Sequence, residues 1–490
     1  MITDDINNML RDFQAEDLPW FLANRRSLNL YEPRLGKTVV TTLVGILDPR
    51  CNIVLIACPK NAMSVWKSHI ERLYKEFKPE TTVEVRLVKG KNNTAKEQRH
   101  KLWLKPRTAE VTFYIVTFAA LLRDFELLTL PSTRKSGLIF NMVIGDEVHL
   151  QLRNRKNKMV QVFKTFVADP TVRFHALSGT MASKGGPSDF WAVLNLIDQR
   201  AFSSYWKFVY MFHEIHDGTW GKEIIGLKNI ELFHKAVLEK YSRRRFRAVC
   251  APHMPKVTRE LLHVEMNAEQ QQLYNQMETD NFVITSNDNM IVASTSLENL
   301  LRKSQILTCP AMLGGKTVGA AMEDLIDRLS DADSGEDTHV VIFSRFRKAL
   351  PYFEKALRDA GFNNVWQLYG GLEPEVLDKR TELFRKTKGI ILCSIKYAQA
   401  FSLVPAITSY VIGYEWDPND NKQAEDRLVP QQGTDPIMSY YYSYDGTSDA
   451  EMAYAVTVKN KRITVTTGSA SDIEKVYEQE RKFNRSPNLD

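Results

Sequence analysis

The consecutive apolar residues of this chain come in short runs that fall into two groups, and that spacing decides what it can fold into. Residues 53–58 (IVLIAC), 112–116 (TFYIV) and 142–144 (MVI) form the first group, and residues 340–343 (VVIF), 390–393 (IILC) and 410–413 (YVIG) form the second. Amphipathic stretches of helical length lie between members of a group. A strand covered on both faces reads as a continuous apolar run, and its parallel neighbour is reached through a crossover that is usually a helix. The alternation therefore predicts an α/β chain with parallel sheets wrapped by helices. Strand signal almost vanishes between about residue 185 and about residue 335, so two lobes with a helical middle are expected. The middle is helical in period and rich in aromatics over 189–238, and a further helix is expected at 267–279 (NAEQQQLYNQMET). Residues 330–338 (SDADSGEDT) read as a linker. A chain of 490 residues exceeds one ordinary domain. The divisions expected are 1–188 for a first lobe, 189–315 for a helical insertion and 316–490 for a second lobe.

Residues 32–38 read EPRLGKT and lead into a helical run from Val39. A phosphate loop needs a glycine that lets backbone N–H groups close around phosphate oxygens, a lysine for the β- and γ-phosphates, and a hydroxyl for Mg2+. Gly36, Lys37 and Thr38 supply these, Arg34 and Leu35 contribute loop backbone, and the following helix adds its N-terminal dipole. ATP with Mg2+ is the expected ligand. The upstream glycine of the usual pattern is missing, since Tyr31 and Arg34 stand where small residues are expected. A second GKT, in residues 312–317 (MLGGKT), has Pro310 before it and no strand leading in, so it reads as a loop. Residues 142–149 (MVIGDEVH) form an apolar strand that ends in adjacent carboxylates. Such a pair divides labour: Asp146 holds Mg2+ through water, and Glu147 orients or deprotonates the attacking water.

Net charge is +6, which permits a polyanionic partner without requiring one. The grouped cations Arg153, Arg155, Lys156 and Lys158, and residues 243–247 (RRRFR), read either as phosphate contacts or as solvated helix faces. Trp66 and Trp103 read as core residues or as platforms for unpaired bases. Five scattered cysteines without a Cys-x-x-Cys pair read as core thiols. No apolar run is long enough to cross a bilayer, and the acidic N-terminus MITDDINNML lacks a leader's basic and apolar regions. A cytoplasmic location is expected, nucleoid-associated or, for a viral protein, in the host cytoplasm.

The order of these elements resembles helicase superfamily two, and within it the Swi/Snf-like DNA translocases. Residues 10–14 (LRDFQ) and 18–22 (LPWFL) are similar to that family's leading segment, whose glutamine reads adenine, which gives Gln14 that role. Residues 57–66 (ACPKNAMSVW), with Lys60, look like motif Ia, and residues 115–118 (IVTF) look like motif Ib, segments that line the DNA track. Residues 146–156 (DEVHLQLRNRK) are similar to the family's D-E-A-H and the basic segment after it, which places His149 at the nucleotide and Arg153, Arg155, Lys156 and Lys158 at the track. Residues 177–180 (LSGT) match motif III, which links the ATP site to DNA, and residues 202–208 (FSSYWKF) have the family's look. Residues 342–346 (IFSRF), 368–372 (LYGGL) and 423–427 (QAEDR), followed by Gln-Gln-Gly, continue the match. By this resemblance Gln423 serves the nucleotide, and Arg427 reaches the γ-phosphate from the opposite lobe. The chain departs from the pattern at Pro430, where a second arginine is usual, and in residues 394–403 (SIKYAQAFSL), where motif V is glycine-rich; Arg345 and Lys396 are the candidate replacements.

The resemblance implies two RecA-like lobes and an ATP-driven motor, a monomer moving on DNA with duplex favoured, and a protein partner that sets its target. Two other readings stay open. One is a helicase tracking RNA or a single strand; the other is a nucleotide-gated DNA-binding module with weak turnover.

Overall fold

The computed structural model describes residues 4–60, 62–90, 93–135, 138–182, 186–218, 221–284, 290–331, 339–398, 402–430, 433, 435–447, 449 and 466. Most of the expected linker at 330–338, the centre of the 394–403 segment and the glutamine pair after Pro430 lie outside the described residues. The chain divides into two compact units between Ala251 and Pro252.

The first unit carries β1 (Arg26–Tyr31), β2 (Ile53–Cys58), β3 (Val83–Val88), β4 (Val111–Thr117), β5 (Met142–Asp146) and β6 (Arg173–Leu177), then a hairpin of β7 (His213–Gly218) and β8 (Gly221–Leu227), then β9 (Ser242–Arg245). Seven of these form a parallel sheet in the order β3-β4-β2-β5-β6-β1-β9. Every residue of β2, β5 and β6 is buried, as strands covered on both faces require. The helix Phe118–Thr129 starts where the Thr117 hydroxyl accepts the Ala120 N–H at 3.2 Å, and the helix Lys158–Phe166 starts with the Asn157 side chain accepting from Met159 N–H. Trp103 is fully buried and stacked on Tyr114, and its N–H joins the Arg99 guanidinium on the Asp124 carboxylate at 2.8–2.9 Å. It is a core residue, with no face left for a base.

The second unit carries β10 (Val257–His263), a hairpin of β11 (Phe282–Ile284) and β12 (Met290–Val292), and β13 (His339–Ser344), β14 (Val365–Leu368), β15 (Gly389–Ser394), β16 (Thr408–Val411) and β17 (Ile437–Ser443). Its parallel sheet has the order β10-β17-β16-β13-β15-β14. The second GKT is a loop, as expected, and its amides are already engaged. Glu269 accepts from the N–H groups of Lys316 and Thr317 and from the Thr317 hydroxyl at 2.7–3.0 Å.

The middle of the chain, expected to be a helical insertion and linker region over 189–315, is of mixed structure. It does hold helices at Trp191–Ile197, Tyr205–Phe212, Ala268–Asp280 and Ser296–Thr308, but also β7 through β12. β9 adds a strand to the first sheet beside β1, and β10 adds one to the second beside β17. Both are sheet edges, where one side of the strand needs no partner, so SRRR and VTRELLH carry no continuous apolar run. Cys51, Cys58, Cys309 and Cys393 are buried thiols, and among the described residues no helix is long and apolar enough to cross a membrane.

Candidate nucleotide site

β1 delivers the chain into residues 32–36 and then into the helix Lys37–Leu47. The turn is tight enough to put two residues in the left-handed region, Gly36 at φ 80° and Arg34 at φ 69°. Glycine adopts this at little expense, whereas Arg34 carries about 1–3 kcal/mol of backbone strain that surrounding contacts must hold. Gln14 Nε2 donates to Leu35 O at 2.8 Å while its Oε1 accepts from Arg11 N–H at 3.1 Å, so the glutamine expected to read adenine also braces the loop. A side chain at Gly36 would place Cβ 2.4 Å from Gln14 Nε2. On another side Gly179 packs against the loop, and a Cβ there would lie 2.9 Å from Pro33 Cδ. Lys37 Nζ donates to Tyr31 O at 3.0 Å, folding the lysine back over the loop it serves.

β5 ends at Asp146, and the chain turns sharply there because Glu147 itself takes φ 50°. Trp66 Nε1 donates to Asp146 Oδ2 at 2.8 Å, so Trp66 is a buried support for the acid and not a stacking platform. Burial pushes the Asp146 carboxyl up, to about 6, and the neighbouring Glu147 charge adds to that, while Trp66 and Lys37 pull it back. Adjacent carboxylates, with Asp146 buried and pushed up by its neighbour's charge, together with the Thr38 hydroxyl at the start of the helix Lys37–Leu47, are the hard oxygen donors that a divalent cation fits. His149 connects the acids to residues 177–180. Its Nδ1 lies 3.2 Å from Glu147 Oε2, 2.9 Å from Ser178 Oγ and 3.5 Å from Thr180 Oγ1, and Thr180 N–H donates to Ser178 Oγ at 3.2 Å. One imidazole nitrogen therefore joins the D-E-V-H and L-S-G-T segments.

The cations expected on the DNA track sort into two kinds. Lys60, Arg155, Lys156 and Lys158 are exposed, with the Arg155 guanidinium 4.4 Å from the Tyr205 ring centre. Arg153 is half-buried and donates to Met181 O at 3.2 Å and Thr180 O at 3.1 Å. Residues 243–247 are neither a solvated helix face nor an open cationic patch. Arg243 lies over the Trp20 ring at 3.9 Å, burial drives the Arg244 guanidinium down to about 10, and Arg245 is paired with Asp17.

In the second unit, Gln423 is buried on the helix Pro418–Glu425, and Arg427 follows that helix, its N–H donating to Ala424 O and its carbonyl accepting from Leu403 N–H. Glu425 between them is held by Arg259 Nε at 2.9 and 3.0 Å and by the Tyr441 hydroxyl at 2.7 Å. Arg345 and Lys396 both lie against Glu415, at 3.7 and 3.6 Å. The sequence does not reveal the pairing of Asp17 with Arg245 or of Arg259 with Glu425, whose partners lie 228 and 166 residues apart in the chain.

Residues 13–313 match the family model described as SNF2-related domain. Over 467 residues the chain is 23% identical to transcription regulatory protein SNF2 of Saccharomyces cerevisiae, covering 86% of this chain and 26% of that protein. It is 22% identical to human chromodomain-helicase-DNA-binding protein 7 and 22% identical to ATP-dependent helicase brm of Drosophila melanogaster, covering 86% of this chain in each case. The chain spans only 14% and 27% of the length of those two. Among solved structures, the Sulfolobus solfataricus SWI2/SNF2 ATPase core in complex with dsDNA is 19% identical, with 96% of each chain covered and a TM-score of 0.39.

The contact at Gly179 yields a test of the site. Pro33 is a rigid neighbour, so Gly179→Ala must displace the loop rather than rotate a side chain. ATP affinity measured by titration calorimetry is expected to fall about tenfold, or about 1.4 kcal/mol. Unchanged affinity would show that the loop does not depend on residues 177–180 for its shape.

Proposed function

The chain belongs to the SNF2-related domain family, and from that premise we propose that it is a DNA-dependent ATPase that converts hydrolysis into movement along duplex DNA. The observation that carries the proposal is the meeting, at the carboxyl ends of β1, β5 and β6, of the phosphate loop, the Asp146–Glu147 pair and the segment tied to them through His149. Open parallel sheets bind ligands at that edge. Relatives whose names include "ATP-dependent helicase" and "helicase-DNA-binding" support both the nucleotide and the nucleic acid.

In this reading ATP lies along residues 33–38. Lys37 exchanges the Tyr31 carbonyl for the β- and γ-phosphate oxygens, and loop N–H groups with the helix N-terminus neutralise the rest. Asp146 and Thr38 would hold a magnesium ion, which would supply charge neutralisation to the phosphates. Glu147 takes a proton from the attacking water as its oxygen bonds to the γ-phosphorus and the bond to the bridging oxygen of ADP breaks. His149 keeps the Glu147 carboxylate aimed and passes its position to Ser178 and Thr180. Arg427, carried by the second unit, stabilises charge on the transferred group, and Gln14 and Gln423 serve the nucleotide beside it. The exposed Lys60, Arg155, Lys156 and Lys158 contact DNA phosphates, and Arg153 ties that cationic run to the Thr180 and Met181 carbonyls.

The proposal is tested by ATP turnover in the presence of duplex DNA, single-stranded DNA or RNA of equal length. Duplex DNA is expected to give the largest stimulation, and DNA affinity is expected to drop by roughly 10³ or more between about 50 and 200 mM salt if six or more phosphates are contacted. Greater stimulation by RNA would favour an RNA helicase, and ATP binding without stimulated turnover would favour a nucleotide-gated binding module.

A second test concerns charge at the γ-phosphate. The resemblance of residues 423–427 to the family's motif makes Arg427 the proposed cation at the γ-phosphate, while Arg345 and Lys396 lie against Glu415. Arg427→Ala is expected to lower the rate by roughly 10³-fold with ATP binding retained, the scale of a missing arginine finger. A rate near that of the unaltered protein would place that charge on another residue.

A further inference from the structure

Tyr31 stands at the end of β1, where a phosphate loop ordinarily has a small residue, and Arg34 occupies a left-handed position two residues before Gly36. Backbone freedom enters this loop at Gly36 but not at residues 31 and 34, so side chains must hold the rest. Tyr31 is fully buried, and its hydroxyl donates to Asp17 Oδ2 at 2.7 Å. Asp17, itself buried, accepts a two-pronged bond from Arg245, Nε to Oδ2 and Nη2 to Oδ1, both at 2.7 Å. Arg243 Nε lies 3.6 Å from the same carboxylate. The register of β1 on β9 sets Tyr31 directly opposite Arg245. One residue further, Glu32 N–H donates to Arg245 O at 3.0 Å, and the Glu32 carboxylate accepts from Arg247 N–H at 2.7 Å. The chain of bonds ends at Lys37, whose Nζ donates to Tyr31 O.

We propose that Asp17, Tyr31 and Arg245 form a positioning clamp that holds the phosphate loop in its ATP-receiving shape, doing through side-chain bonds what small residues do through backbone freedom elsewhere. The inference rests on reading residues 32–38 as the phosphate site. A planar guanidinium bound through two parallel hydrogen bonds fixes direction as well as distance, so Asp17 holds one orientation and presents one oxygen to the phenol. Burial and the Asp17 charge push the Tyr31 phenol above its ordinary range, so it remains a donor. β9 thereby serves the nucleotide site from the far edge of the sheet. The three side chains act as positioning groups through Glu32, Lys37 and the loop between them.

Two variants and two readouts test the clamp. Tyr31→Phe keeps the ring and removes the hydroxyl. Asp17→Asn combined with Arg245→Met removes both charges of the forked pair together, with Arg243 still lying over the Trp20 ring. For each, the KM for ATP is expected to rise about tenfold while kcat stays within about twofold. Amide exchange at residues 34–38 is expected to accelerate roughly tenfold or more, with β2 and β5 unchanged. Arg245→Lys, which keeps the charge but loses the fork, is expected to fall between the unaltered protein and the double variant. Unchanged KM and unchanged loop exchange, with only global stability lowered, would overturn the clamp and leave the triad a fold support. Should the unaltered protein show no ATP turnover, the ATP reading fails, and exchange at 34–38 alone decides the clamp.

Discussion

The register of three parallel strands, β5, β6 and β1, governs the whole site. Asp146 lies opposite Leu177, and Leu177 lies opposite Asn29, so the acids, the L-S-G-T segment and the approach to the phosphate loop arrive at one level of one sheet edge. Val148 N–H bonds Leu177 O and Ser178 N–H bonds Asn29 O just past the ladders, which extends the alignment into the turns. A slip of one residue between any pair would turn its side chains to the opposite face of the sheet. His149 would then lose Ser178, and Gly179 would no longer meet Pro33. The chemistry proposed for the site depends on this alignment before it depends on any single residue.

Around the aligned edge the chain places strain where function needs it. Arg34, Gly36 and Glu147 all adopt left-handed backbone, two of them without being glycine. Strain of this kind persists only where neighbours over-determine it. Here the neighbours are Gln14, Gly179 and the Asp17–Tyr31–Arg245 chain for the loop, and His149 and Leu177 for the acid turn.

What could be read from the sequence follows from how local its physics is. β2, β5, β13 and β15 were legible because strands buried on both faces write continuous apolar runs. Residues 32–38 and the acid pair stood out in the sequence because the chemistry expected of them needs particular residue types in adjacent positions. β1 did not, although it lies within the sheet, because Ser27 and Asn29 interrupt its apolar run; Ser27 is satisfied by His175 Nδ1 at 2.8 Å, and Asn29 accepts Tyr31 N–H. β9 and β10 were hidden because edge strands tolerate charge. The basic run 243–247 looked like a surface feature since its acids, Asp17 and Glu16, come from the start of the chain. Long-range pairing of that kind leaves no local pattern.

The central claim is that the turn after β5 carries the base for ATP hydrolysis on a loop-and-sheet scaffold that binds ATP without it. Glu147→Gln keeps the shape of the side chain and removes its basicity, so it separates the two functions. The most direct measurement compares equilibrium ATP binding with duplex-DNA-stimulated phosphate release in this variant. Binding is expected to stay within about threefold of the unaltered protein while turnover falls by roughly 10²–10⁴-fold, the range for loss of a general base. Loss of ATP binding, or turnover at the unaltered rate, would contradict the assignment of Glu147 and with it the mechanism built on this site.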